Sequence, residues 1–292
     1  MLLIGENLNV ISKKTANALK QKDASTIKEM ALAQADAGMD MIDINLGPAR
    51  KDGPELMEWV VKTVQDVVDL PLSLDTTNID AIEAGLKVHR GKALINSISA
   101  RPERIEALMP LAKRYDAGFI GLMLGTDGIP RDANERGFLA AQIMAEAANC
   151  GIPEEDIWLD PIVLPINSQQ IQVQGCTEFV MMLTELAPNS KSTCGLSNVS
   201  NGCPAHLRGI LNRTYLVMIK RYGMYSAIVD AFDAELREIA RGNRPDIESL
   251  IFRVMDGESI DMSALSREEA DYVKTAKILL GHTLYSDSWL EL

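Results

Sequence analysis

Short apolar runs that end in a small polar residue recur along this chain of 292 residues. They are Leu3-Ile4-Gly5-Glu6-Asn7, Met41-Ile42-Asp43-Ile44-Asn45, Leu72-Ser73-Leu74-Asp75-Thr76, Leu94-Ile95-Asn96-Ser97, Ile157-Trp158-Leu159-Asp160-Pro161, Cys194-Gly195-Leu196-Ser197-Asn198 and Ala227-Ile228-Val229-Asp230. An eighth, Phe119-Ile120-Gly121-Leu122-Met123, fills the gap between Asn96 and Asp160. Helix-patterned stretches separate them. Eight buried strands alternating with helices predict an α/β fold, the (β/α)8 TIM barrel. Helices cover the outside of such a barrel and side chains fill its inside, which is why the strands are mostly apolar. The residues where strands leave the barrel carry the active site. Here they are Asp, Asn, Ser and Glu, and no run ends in lysine or histidine.

The helices are marked by their ends. Asp23 opens one that Gly38 stops, and Pro54 sits in the first turn of the next. Others are predicted over 78–88, from Pro102, over about 134–150 with a stop at Gly151-Ile152-Pro153, over 169–187 and over 207–222. The last helical region is irregular. Residues 241–267 read as an insertion that splits the final helix, with a short helix near 246–255 and helix again over 268–280. The insertion is either a surface elaboration or a lid or docking element. One domain spanning 1–292 is expected, since single barrels reach this size.

Composition narrows the function classes. Twenty-nine basic against 41 acidic residues give a net charge of −12, which argues against nucleic acid and anionic membranes as partners. No apolar run reaches the ~18 residues of a membrane helix. The start, Met1-Leu2-Leu3-Ile4, has no basic segment and no secretory signal is expected. Cys150, Cys176, Cys194 and Cys203 are scattered without a CxxC pair, which fits reduced thiols in a cytoplasm. His89, His206 and His282 make no zinc pattern, and no protein-bound metal is expected from His or Cys.

Carboxylates and amides at strand ends can bind a divalent metal, hold a sugar, or hydrogen-bond a flat heterocycle. Asp43, Asp75, Asp160 and Asp230 could converge on Mg²⁺, although Asn96 and Asn198 would be odd ligands for it. A pterin suits the set better. Its pyrimidine edge offers an amino group and a ring N–H beside a carbonyl; an Asp accepts two donors, and an Asn both donates and accepts.

Six segments in register at strand ends carry a resemblance. They are Gly5-Glu6-Asn7-Leu8-Asn9, Asp43-Ile44-Asn45-Leu46-Gly47-Pro48, Leu74-Asp75-Thr76-Thr77-Asn78, Ile95-Asn96-Ser97, Leu159-Asp160-Pro161 and Gly195-Leu196-Ser197-Asn198-Val199-Ser200. Together they resemble the pterin-binding methyltransferases, most of all those that move a methyl group between tetrahydrofolate and a corrinoid protein. The resemblance implies that Asp75, Asn96 and Asp160 hydrogen-bond the pterin, with Asp43 near the ring. It implies that Gly195 and Ser197 line the pocket and that Asn198 faces N5, the atom that gains or loses the methyl, as the catalytic residue. It further implies a homodimer. Tetrahydrofolate or 5-methyltetrahydrofolate would be the substrate. The cobalamin-type corrinoid would arrive on a partner protein, because the chain lacks an Asp-x-His-x-x-Gly module: Pro204 stands where Asp should be before His206.

Two alternatives remain beside that reading. Dihydropteroate synthases share the barrel but need Ser-Arg-Lys after the seventh strand and Arg-x-His near the eighth; here the sequences are Ser197-Asn198-Val199 and Ile228-Val229-Asp230-Ala231-Phe232. A non-catalytic pterin carrier docking on a corrinoid protein is the other. The length of the insertion suggests a corrinoid partner from a glycine-betaine or aryl-ether demethylation system, in which the methyl passes from corrinoid to tetrahydrofolate.

Overall fold

A computed structural model describes residues 1–49 and 51–291. Its strands are β1 (Leu2–Asn9), β2 (Met41–Gly47), β3 (Leu72–Thr76), β4 (Leu94–Ser99), β5 (Gly118–Leu122), β6 (Ile157–Asp160), β7 (Lys191–Ser192) and β8 (Ser226–Val229). All pairings are parallel, in the order β7-β6-β5-β4-β3-β2-β1-β8. The seam between β7 and β8 closes through a Gly195–Ile228 bridge, with the Ile228 N–H donating to Cys194 O at 2.8 Å. The Ser226 hydroxyl donates to Ser192 O at 3.0 Å on the same seam. The expected (β/α)8 barrel is therefore what forms.

Helices α1 (Lys13–Gln21), α2 (Ala24–Asp36), α3 (Gly53–Gln65), α4 (Ile79–Val88), α5 (Pro102–Arg114), α6 (Ala133–Asn149), α7 (Ile166–Leu186) and α8 (Ala205–Arg221) surround it. Their ends follow local chemistry. The Asp23 side chain accepts the N–H groups of Ser25 and Thr26 at the start of α2, and Asn78 caps α4 by accepting from Ala81 N. Gly38 after α2 has φ +84°, a conformation that L side chains rarely adopt. Helix α1 was not anticipated. It is short and mostly polar, burying only Thr15, Ala18 and Leu19, and no side-chain cap of the kind that marks α2 and α4 bonds its first turn.

The seventh strand differs from expectation. The strand is not the apolar run at 194–198: β7 is Lys191–Ser192, and Leu196–Ser200 is a 3-10 turn. Leu196 and Val199 are apolar because the turn packs them inward, not because they belong to a sheet.

The region after β8 forms α9 (Ala234–Ala240), α10 (Pro245–Met255) and α11 (Arg267–Leu279). Helix α10 packs on α8 and α11 and buries Ile247, Leu250, Ile251 and Val254. Lys220 of α8 pairs with Glu248 at 2.6 Å, and Arg221 Nη1 donates to Phe252 O at 2.9 Å. These bonds join α10 to the C-terminal end of α8. Arg241 donates to Met1 O and Gly38 O and pairs with Asp40 at 2.9 Å, at the end of the barrel where β1 begins.

The barrel interior is layered. Side chains two apart on a strand share a face. Ile4, Met41, Leu94, Ile120, Trp158 and Ile228 form an apolar cluster separate from the two larger ones. Two residues further along, the same inward phase holds Glu6, Asp43, Asn96, Leu122, Asp160 and Asp230. One strand-step thus carries the lumen from hydrocarbon to carboxylate.

Candidate active site

The carboxylates and amides at the upper layer bond chiefly to each other. Asp43 is buried; its Oδ1 accepts the Ser73 hydroxyl at 2.5 Å and the Asn96 amide at 3.0 Å. Register explains the first contact, since Asp43 lies opposite Ser73, whereas Asn96 lies opposite Asp75 and reaches Asp43 across β3. The Asn45 amide donates to Asp75, and its Oδ1 accepts Gly47 N–H at 2.9 Å. Asp160 is buried and accepts Ile162 N–H at 2.7 Å. Among the described residues, no hydrogen bond joins Asp160 to the Asp43 group.

Electrostatics set this layer apart. Burial pushes Asp160 up to about 7, against the Ile162 N–H and the charge of Arg136. Burial likewise raises Asp43, opposed by its bonds from Ser73 and Asn96, and raises Asp75 well above the carboxylate range, helped by the charge of Asp43. Such acceptors are poorly solvated and incompletely paired. A ligand edge carrying N–H donors would relieve them.

The lip over this layer is the turn Leu196–Ser200. Asn198 N–H donates to Gly195 O at 3.2 Å, which folds the turn back on itself. A Cβ on Gly195 would stand 2.9 Å from Asn198 Nδ2, so glycine is what lets the amide lie down here. Asn198 is exposed, and its side chain makes no hydrogen bond among the described residues. Ser197 Oγ donates to Glu6 Oε1 at 2.7 Å.

Three residues of the site, Ser73, Asn45 and Glu6, are not among those expected from the sequence. Ser73 and Asn45 hold the aspartates. Glu6 has its carboxyl raised to about 7 by burial, against the Ser197 bond and with the charges of Asp230 and Asp43 adding to the rise. The available signal was phase: Glu6 follows Ile4 by two, as Asp43 follows Met41. Asp230, weighed as a metal ligand, is tied to Asn7 and, among the described residues, not to the other aspartates. Its Oδ1 accepts the Asn7 amide at 2.9 Å, while Ala231 N–H donates back to Asn7 Oδ1 at 2.9 Å. Among the described residues, no three His, Cys, Asp or Glu side chains gather into a group that could hold a metal ion. The carboxylate oxygens of this layer can accept from N–H groups.

The chain is 28% identical over 232 residues to the methylcorrinoid:tetrahydrofolate methyltransferase of Eubacterium limosum, covering 79% of this chain and 85% of that protein. It is 27% identical over 242 residues to methionine synthase of Mycobacterium tuberculosis, of which it spans 20%. Among solved structures, dihydropteroate synthase of Xanthomonas albilineans with 4-aminobenzoic acid superposes with a TM-score of 0.64 at 17% identity, covering 84% of this chain and 93% of that one. Yersinia pestis DHPS with a pterine-sulfa conjugate gives 0.63 at 18% with the same coverage. At such identity the likeness is one of fold. Residues 5–230 match the pterin binding enzyme family, and the chain belongs to it.

Proposed function

We propose that this enzyme moves a methyl group between N5 of tetrahydrofolate and the cobalt of a corrinoid protein, in the direction from methyl-corrinoid to tetrahydrofolate. The observation that carries the reading is Asn198: an exposed side-chain amide, without a hydrogen bond among the described residues, at the lip of a layer of buried acceptors. The 28% identity to a methylcorrinoid:tetrahydrofolate methyltransferase across most of its length supports it.

In this reading Asp75, Asn96 and Asp160 bind the pyrimidine edge of the pterin, and Asp43 supports Asn96. Gly195 and Ser197 line the pocket. A pterin whose donors matched these acceptors would be selected, because a mismatched ring leaves buried groups unpaired. The partner's corrinoid supplies the methyl–cobalt bond. In the proposed direction the N5 lone pair would attack the methyl carbon, the electron pair of the methyl–cobalt bond would stay on cobalt and the N5 proton would leave to solvent; in the reverse direction Asn198 would donate to N5 as the leaving electron pair gathers there. A carboxylate at that position would be ionised at neutral pH and could only accept, whereas an amide donates without a permanent charge. Microscopic reversibility keeps Asn198 in play in either direction.

A synthase reading needs cations after the seventh and eighth strands, where this chain has Ser197-Asn198-Val199 and Asp230-Ala231-Phe232. The test is incubation with methylcobalamin and tetrahydrofolate. Loss of the methylcobalamin spectrum that depends on tetrahydrofolate, with 5-methyltetrahydrofolate formed, is expected. Binding of tetrahydrofolate without any transfer would make the chain a carrier, and dihydropteroate formation would make it a synthase. The same reading makes the protein a cytoplasmic homodimer. Free thiols at all four cysteines suit a reducing compartment, and sedimentation equilibrium tests the dimer.

A further inference from the structure

The turn that bears Asn198 is fastened from two sides. On the outer side, Arg208 Nε of α8 donates to Ser200 Oγ at 3.2 Å, and Ser200 Oγ donates to Ser197 O at 3.2 Å. Within the turn, Asn201 N–H donates to Asn198 O at 3.1 Å. On the lumen side there is one bond to β1 among the described residues, from Ser197 Oγ to Glu6.

Glu6 is an expensive choice for that fastening. Asp43 of β2 and Asp230, just after β8, face it with like charge, and among the described residues Arg208 of α8 opposes them. A glutamine would accept the same hydroxyl without that repulsion. What the acid adds is strength, since a hydrogen bond to an ionised acceptor is roughly twice as strong as a neutral one.

We propose that Glu6 is a positioning residue for the methyl transfer, fixing the Asn198 turn at the barrel mouth through Ser197. The inference rests on the function proposed above for its catalytic consequence, but not for its structural one. Ionised Glu6 holds the turn. As pH falls through about 7, the carboxyl takes up a proton and the charge-assisted bond is lost. The turn then loosens on its lumen side while Arg208 and Ser200 still hold the outer side. Asn198 would remain present but be less well aimed.

Two measurements test this. The first is hydrogen exchange at the amides of Asn198 and Asn201 across pH, corrected for intrinsic rates. In the wild type, protection should fall as pH drops through about 7. Glu6→Gln should hold reduced protection that does not change with pH over that range, and Ser197→Ala should behave alike. The second is the pH dependence of kcat with methylcobalamin and tetrahydrofolate. The wild type should gain activity as pH rises through the same range. Glu6→Gln should lose that limb, with kcat lowered roughly tenfold at pH 8 and tetrahydrofolate affinity changed far less. Wild-type protection in Glu6→Gln, or an unaltered pH limb in an active variant, would overturn the proposal. Equal losses in affinity and kcat would overturn it as well, by making Glu6 part of the binding surface. If the wild type transfers no methyl but its turn protection follows Glu6 as described, the proposed reaction fails and the positioning role of Glu6 stands.

Discussion

The lower and upper layers of the barrel lumen differ by one strand-step and have opposite energetics. Below, Ile4, Met41, Leu94, Ile120, Trp158 and Ile228 bury hydrocarbon against hydrocarbon, and each fully buried side chain contributes about 1.5–3 kcal/mol. Above, Glu6, Asp43, Asp75 and Asp160 are all shifted up by burial, so their charged forms are disfavoured in the folded protein. The lower layer holds the barrel shut. The upper layer spends some of that stability on acceptors that wait for a ligand. The comparison teaches where stability and function separate in this chain: between residues i and i+2 of the same strand.

The largest expected effect comes from breaking the lower layer. Trp158 is buried and meets Tyr225 edge-on with ring centroids 5.3 Å apart. Trp158→Ala should cost about 3–5 kcal/mol of stability, read by urea denaturation. A loss of no more than about 0.5 kcal/mol, the range of surface substitutions, would show that the layer is not a support.

Next comes the lip. Asn198→Ala should lower kcat on the order of 10²-fold, as for a lost oxyanion-type donor, and lower pterin affinity less. Asn198→Asp should be slow at neutral pH and recover in acid, where the carboxyl regains a proton to donate. Stopped-flow methyl transfer with calorimetric tetrahydrofolate titration separates the two quantities. Equal losses would mean uniform binding and no special role in the transition state.

The upper layer should show a smaller and opposite pattern from Trp158. Asp160→Ala is expected to weaken tetrahydrofolate binding by about 1–3 kcal/mol, since ring donors lose a buried acceptor, while leaving the denaturation midpoint unchanged or raised. Unchanged affinity by calorimetry would remove Asp160 from the pocket.

The smallest effect is on pH dependence. A carboxyl whose pKa is raised in the folded state binds more protons there than in the unfolded chain. Stability therefore falls as pH rises from about 4, the unfolded value, through the raised value. For Asp160 and Glu6 that window runs to about 7. Asp43→Asn should flatten part of the slope and gain on the order of 1 kcal/mol at pH 8. A steeper slope in the variant would refute the assignment of burial as the cause. Because ligand donors favour the ionised forms, tetrahydrofolate binding near pH 6.5, roughly mid-window for these raised carboxyls, should release protons. Calorimetry in buffers of different ionisation enthalpy would detect that release.

Much of this was legible because strand ends announce themselves. Seven of the eight strands fell on the runs identified from sequence, since a buried strand leaving a barrel must pass from apolar to polar within a few residues. The seventh was displaced because a 3-10 turn can bury Leu196 and Val199 as a strand would. At the site, Asp43 and Asn96 came together as a bonded pair, with Asp75 joined through Asn45. Glu6 was hidden by its neighbours. Gly5-Glu6-Asn7 reads as one polar exit, and only the inward phase set by Ile4 separates Glu6 from Asn7, whose amide binds Asp230 instead. The residues 241–267 were seen as an insertion, but the burial of Ile247, Leu250, Ile251 and Val254 depends on α8, far away in sequence.

The fastening of Arg241 to Met1, Gly38 and Asp40 has a bearing on how the molecule is made. These bonds span 240, 203 and 201 positions of sequence, and the Asn7–Asp230 bond spans 223. A ribosome-bound chain ending before β8 has β1 and β7 as open sheet edges, each with unpaired backbone groups able to recruit a neighbouring polypeptide. Contacts of such separation are slow to form, because loop closure precedes any reward. Emergence of β8 from the tunnel is thus the moment at which the nascent barrel stops being sticky, and synthesis that stalls ahead of residue 226 would leave an aggregation-prone fragment instead of a smaller enzyme.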